Sequence, residues 1–141
     1  MPEVESPLSL PVSAPAASSA ITGASILVID DEAGIRESLE LLLTLEGYSA
    51  KMANDGEQGL RALELENFDL VLLDLALPGQ SGLDLLKIAR RRNYTAVIIM
   101  FSVHDHPTLR QRCADLGADF FFHKLTEFER VAEVCRELAG R

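Results

Sequence analysis

The amino-acid sequence predicts a doubly wound α/β domain with five parallel strands in the order 2-1-3-4-5. Three observations carry that prediction. Short apolar runs alternate with helical patterns along most of the chain, as they do when parallel strands are joined by right-handed helical crossovers. Two of the runs, residues 26–29 (ILVI) and 70–73 (LVLL), are apolar throughout, the mark of strands covered on both faces. Four runs stop on, or within two residues of, a group that handles metal or phosphate: Asp30-Asp31, Asp74, Ser102 and Lys124. In parallel sheets, ligand sites lie beyond the carboxyl ends of the strands, where strand order reverses.

The elements follow in order from residue 25. The first strand is expected over 25–30 and the first helix over 33–46, with Ile35, Leu39, Leu42 and Leu43 on one face. Gly47 supplies a left-handed stop. A weak second strand covers 48–53, and Asp55 with Gln58 forms a capping-box-like start for helix two. The third strand covers 69–74. Ser81 caps a third helix that runs to about residue 92. The fourth strand covers 96–102, Pro107 suits the first turn of helix four, and Gly117 ends it. The fifth strand is expected over 118–122. Thr126 and Glu129 form a T-x-x-E box for helix five, whose stripe is Phe128, Val131, Val134, Cys135 and Leu138. The reversal falls between strands one and three, the flavodoxin-like order.

Residues 1–24, rich in Pro, Ser and Ala, read as a flexible tail, and 25–141 as one domain. No run approaches the length of a membrane span, and no basic residue precedes an apolar stretch in the manner of a secretory signal. A net charge of −9 argues against a nucleic-acid partner. The one dense basic run, Arg90-Arg91-Arg92, falls where helix three ends, and reads as solvated cations facing the negative helix terminus. Cys113 and Cys135 lie on apolar helical stripes and read as buried thiols of a cytoplasmic protein.

Asp30, Asp31 and Asp74 would flank the strand reversal. An isolated Asp at a strand end is ordinarily a turn residue or a cap. Three in one pocket repel one another unless a cation offsets them, and an all-oxygen set with few side chains suits Mg²⁺. Lys124 alone reads as a surface lysine and Ser102 alone as a hydroxyl satisfied by backbone; their placement on adjacent strands changes the reading.

Together, Asp30-Asp31, the run from Asp74 through Pro78, Ser81 and Gly82, Ser102, and Gly117-Ala118-Asp119 with Phe121 and Lys124 resemble the signature of response-regulator receiver domains. The resemblance covers about residues 25–138. It implies that Asp74 accepts a phosphoryl group from a phosphohistidine on a sensor histidine kinase or histidine phosphotransfer protein. It implies Mg²⁺ held by Asp31, Asp74 and the Ala76 carbonyl, with Asp30 acting mainly through water. Lys124 would pair with the acyl phosphate, Ser102 would hydrogen-bond it, and Ser102 with Phe121 would form the switch. That switch would work through the face of helix four, strand five and helix five, and catalysis would be confined to the domain's own phosphorylation and hydrolysis. The end of the chain right after helix five predicts a stand-alone regulator acting on a separate protein target.

Leu125 stands where the family usually carries a proline that follows the lysine and makes a cis bond, which leaves open a costly cis Lys124–Leu125 bond or a trans one with Lys124 placed differently. Val103 is bulkier than the small residue usual there, and would narrow access to Asp74. His104 and His106, near the same edge, are placed to touch a phosphate or its donor but read first as exposed loop histidines, and a metal role for His123, beside Lys124, has no other support. Three other functions compete. A pseudo-receiver would keep the fold without phosphorylation, but leaves the intact acid cluster without a reason. A phosphohydrolase resembling haloacid dehalogenases needs a second acid where Ala76 stands. A flavodoxin would set Asp30-Asp31 against a cofactor phosphate.

Overall fold

The structure, a computed structural model, describes residues 24–139. The tail expected over 1–24 lies outside the described residues except for Ala24, which is buried. In chain order the elements are β1 (Ser25–Ile29), α1 (Ala33–Leu45), β2 (Ser49–Ala53), α2 (Gly56–Leu65), β3 (Leu70–Asp74), α3 (Gly82–Arg91), β4 (Val97–Ser102), α4 (Pro107–Asp115), β5 (Phe120–His123) and α5 (Arg130–Ala139). All strand pairs are parallel, and the sheet order is β2-β1-β3-β4-β5, as the alternation predicted.

Period-two alternation divides the core. Leu27, Ile29, Val71, Leu73, Ile98 and Met100 face α2, α3 and α4, where they meet Ala62, Leu85, Leu86, Ala89 and Cys113. Ile26, Val28, Leu70, Leu72, Ile99, Phe101 and Phe122 face α1 and α5, against Leu39, Leu43, Val131, Val134 and Cys135. β3 is buried at all five positions, which is why its sequence is apolar up to the closing Asp74. Both cysteines are free and buried, and burial pushes the Cys135 thiol up to about 12. Among the described residues no helix is long and apolar enough to cross a membrane.

The helix stops follow the expected chemistry. Gly47 and Gly117 adopt φ of 90° and 106°, and Asp55 and Ser81 accept from the amides of Gln58 and Asp84. Gln58 returns its side chain to the amide of Asn54 rather than to that of Asp55. β5 begins two residues later than expected, because the Gly117 and Ala118 amides bond back to Ala114 and Cys113. α5 begins at Arg130, and the T-x-x-E box does not open it. The Thr126 amide is taken by His123 Nδ1 instead, at 3.4 Å.

The basic run also departs from the reading as solvated cations. Arg90 is half-buried and donates to the carbonyls of Gly117 (2.9 Å), Tyr94 (2.8 Å) and Ala96 (3.0 Å), and to Asp119 Oδ2 (2.8 Å). It staples α3 to the starts of β4 and β5. Arg91 and Arg92 remain exposed at the helix end, as read from the sequence, with Arg92 in a surface pair with Glu64 at 2.6 Å.

Candidate functional site

Strand register assembles the site. Ile29 pairs with Leu73, so Asp30 and Asp74, the next residues on adjacent strands, arrive side by side. Asp74 pairs with Phe101, and Ser102 with His123, which places Ser102 and Lys124 at the same carboxyl rim. Asp30, Asp74, Ser102 and Lys124 are the buried polar or charged residues among those described. Asp31 is exposed at the mouth.

Carboxylate oxygens of Asp30, Asp31 and Asp74 lie within 4.8 Å of one another. Lys124 Nζ sits 2.7 Å from Asp30 Oδ2, 3.1 Å from Asp74 Oδ2 and 3.2 Å from Glu32 Oε1. Its contacts with Asp30 and Asp74 are ion pairs between side chains that are almost wholly buried. Asp30 Oδ1 accepts from the Glu32 amide at 2.9 Å, and Asp74 Oδ1 from the Ala76 amide at 3.1 Å. Ser102 Oγ accepts from the His104 amide at 2.9 Å, which leaves the hydroxyl proton free to donate elsewhere.

The electrostatics follow. Burial, then the neighbouring Asp30 charge, lifts the Asp74 carboxyl to about 6 against the opposing pull of Lys124. For Lys124, burial works against the charged form, but the Asp30 and Asp74 carboxylates outweigh it and hold the ammonium protonated above its ordinary range. One cation shared by two buried carboxylates leaves the pocket short of positive charge. An all-oxygen donor set from three clustered carboxylates, with only one ammonium to balance them and an exposed third acid that leaves room for water, fits a hard divalent cation such as Mg²⁺.

The structure therefore brings Asp30, Asp31, Asp74, Ser102 and Lys124 to one rim, with Ala76 bonded to Asp74 through its amide. Of the two alternatives left open, the Lys124–Leu125 bond is trans, and Lys124 nonetheless reaches Asp30 and Asp74. Phe121 lies two residues short of the rim, on the sheet face it shares with Ser102, half-buried against the core below α4. The Arg110 guanidinium stacks over its ring at 4.7 Å. Val103 is 47% exposed at the mouth, and His106 caps α4 through Nδ1. Two residues were not anticipated: Glu32, the third partner of Lys124, and Arg36, which donates to the Asp30 carbonyl at 2.8 Å. The run Asp30-Asp31-Glu32 was the only sequence signal for the first.

The family model of the response regulator receiver domain matches residues 26–136. The chain belongs to this family. It is 38% identical over 146 aligned positions to the alkaline phosphatase synthesis transcriptional regulatory protein SphR of Synechococcus elongatus, covering 97% of this chain and 56% of that protein. It is 37% identical to the transcriptional regulatory protein DltR of Streptococcus agalactiae, over 75% of this chain and 47% of that one. The chain thus spans about half the length of these curated relatives. Among solved structures, the response regulator TrrA of Thermotoga maritima in complex with Mg²⁺ and BeF superposes with a TM-score of 0.72 at 35% identity, over 81% of this chain and 97% of that one. This is a receiver domain of the two-component response-regulator type.

Proposed function

We propose that this receiver domain is a Mg²⁺-dependent phosphoacceptor, modified on Asp74 by a phosphohistidine donor. The observation that carries the reading is the convergence of Asp30, Asp31, Asp74 and Lys124 at one rim with too little positive charge to balance them. The donor is a sensor histidine kinase or a histidine phosphotransfer protein, as expected for the family.

An Asp74 carboxylate oxygen attacks phosphorus while the donor's P–N bond breaks, and the electron pair stays on the imidazole nitrogen. Asp30, Asp31, Asp74 and the Ala76 carbonyl would hold Mg²⁺, which supplies charge neutralisation for the phosphoryl oxygens when bound. Lys124 is already positioned on Asp74 and follows the new negative charge onto the phosphoryl group. The Ser102 hydroxyl has its proton free to donate to a phosphoryl oxygen. Hydrolysis removes the phosphoryl group: water attacks phosphorus, the bond between phosphorus and the Asp74 oxygen breaks, inorganic phosphate leaves, and the Asp74 carboxylate is regenerated. Catalysis goes no further than this self-directed chemistry.

Phosphorylation adds about −1.5 to −2 charges beside Ser102 and Lys124. Ser102 would turn toward it, Phe121 would follow on the same sheet face, and the α4-β5-α5 surface would favour a partner-binding form. The proposal holds for the domain acting alone, on a separate protein, or as part of a longer regulator. Acetyl phosphate with Mg²⁺, followed by borohydride trapping and peptide mass spectrometry, tests it. Modification at Asp74 is expected; an unmodified Asp74 would leave a phosphorylation-independent interaction module.

A further inference from the structure

Lys124 has an unusual mounting. β5 ends at His123, and residues 124–129 form turns rather than helix. The main-chain amides from His123 to Glu127 each have an acceptor. His123 donates its amide to Glu127 Oε1 at 2.9 Å, Lys124 to the Ser102 carbonyl at 3.0 Å, and Glu127 to the His123 carbonyl at 3.0 Å. The two amides directly after Lys124 have a side chain as acceptor. Leu125 donates to His123 Nδ1 at 3.1 Å, and Thr126 donates to the same nitrogen at 3.4 Å. Leu125, the residue after Lys124, is 73% exposed and adds no burial there, while Phe128 further along packs against Phe101. Next to Lys124 itself, the hydrogen bonds of the turn hold the backbone from which the side chain leaves.

A ring nitrogen accepts from an amide through its unprotonated lone pair, and His123 Nδ1 is placed to do so for both. The pattern copies the Asx turn, in which an Asn or Asp oxygen accepts from amides two or three residues on. We infer that His123 is a positioning residue for Lys124, its Nδ1 closing the turn that aims the ammonium at Asp30 and Asp74. This deepens the phosphoacceptor reading and rests on it for the catalytic consequence. Without the acceptor, the Leu125 and Thr126 amides turn to water and the turn loosens. The ammonium then spends less time on the two carboxylates, and a displaced electrostatic partner slows phosphoryl transfer.

The test compares wild type with His123→Ala and His123→Asn in the full chain. Three quantities are read: amide exchange at Leu125 and Thr126, Mg²⁺ affinity by calorimetry without phosphodonor, and the rate of phosphoryl uptake from acetyl phosphate. His123→Ala is expected to lose amide protection and to bind Mg²⁺ several-fold more tightly, since a competing cation has moved. It should take up phosphoryl groups about ten- to a hundredfold more slowly. Tighter metal with slower transfer is a signature that general loosening of the fold would not produce. His123→Asn, which restores an acceptor, should return all three toward wild type. Wild-type exchange and Mg²⁺ affinity in His123→Ala would overturn the assignment, as would His123→Asn behaving like His123→Ala. If His123→Ala does not fold, His123→Asn decides: retained amide protection supports the role, and lost protection overturns it. A wild type that takes no phosphoryl group would sink the phosphoacceptor reading, while the exchange and Mg²⁺ measurements still decide the role of His123.

Discussion

Asp74 is held in a state that suits a nucleophile awaiting a metal and suits stability poorly. Its carboxyl is raised from 3.8 to about 6, first by burial and then by Asp30. A carboxyl raised on folding contributes stability below its unfolded value, and that contribution is lost as pH rises through the folded one. The metal-free protein should therefore lose stability from this group between about pH 4 and 6, by at most about 3 kcal/mol. Asp74→Asn should flatten that part of the pH profile and raise the melting temperature at pH 7, as read by thermal melts in EDTA; an unchanged profile would contradict the assignment. Lys124 behaves oppositely. Lys124→Ala leaves two buried carboxylates without their cation, at a cost of about 3–5 kcal/mol in the metal-free protein. Mg²⁺ should recover more stability in that variant than in wild type, measured by urea denaturation with and without the ion.

Elements depend on two glycines for different reasons. A Cβ on Gly82 would press on the Asp74 carbonyl and lie 2.8 Å from the Leu75 Cα, backbone that cannot yield. Gly82→Ala should cost about 1–3 kcal/mol and weaken Mg²⁺ binding, because the start of α3 packs directly against the acceptor strand. Gly117 adopts a φ of 106°, and a Cβ there would also meet the Arg90 side chain at 2.8 Å. Arg90→Ala should destabilise by about 2–4 kcal/mol in urea melts, having removed the donor from three carbonyls. Much of this scale was legible in the sequence. Unbroken apolar runs mark the doubly covered strands, and Gly47 and Gly117 mark helix ends through backbone freedom that few other residues share. The start of α5 was not legible, since a local T-x-x-E signal lost to the tertiary-fixed turn built by His123 and Glu127. Arg90 was not legible either: its partners include a carbonyl 27 positions away, and nothing local distinguishes it from Arg91. Glu32 reaches Lys124 across 92 positions, so only the assembled rim reveals the pair.

At the scale of the molecule, the sheet acts as a register device. Side chains distant in sequence meet because parallel pairing fixes where each strand ends, and the rim collects acids in a chain of net charge −9. The sequence disclosed the acids, the lysine and the hydroxyl through their position after apolar runs; it could not disclose that one ammonium is shared between Asp30 and Asp74. Mg²⁺ at a hundredfold excess over its dissociation constant should add about 2.7 kcal/mol of stability. The chain has no tryptophan, so calorimetry is the direct readout of ligand binding. The decisive measurement is a beryllofluoride titration of wild type and Asp74→Asn, with Mg²⁺ and with EDTA. Saturable binding to wild type in Mg²⁺, abolished by EDTA and by Asp74→Asn, is the predicted result. Absence of binding to wild type, or equal binding to Asp74→Asn or in EDTA, would contradict a metal-dependent phosphoacceptor at this rim.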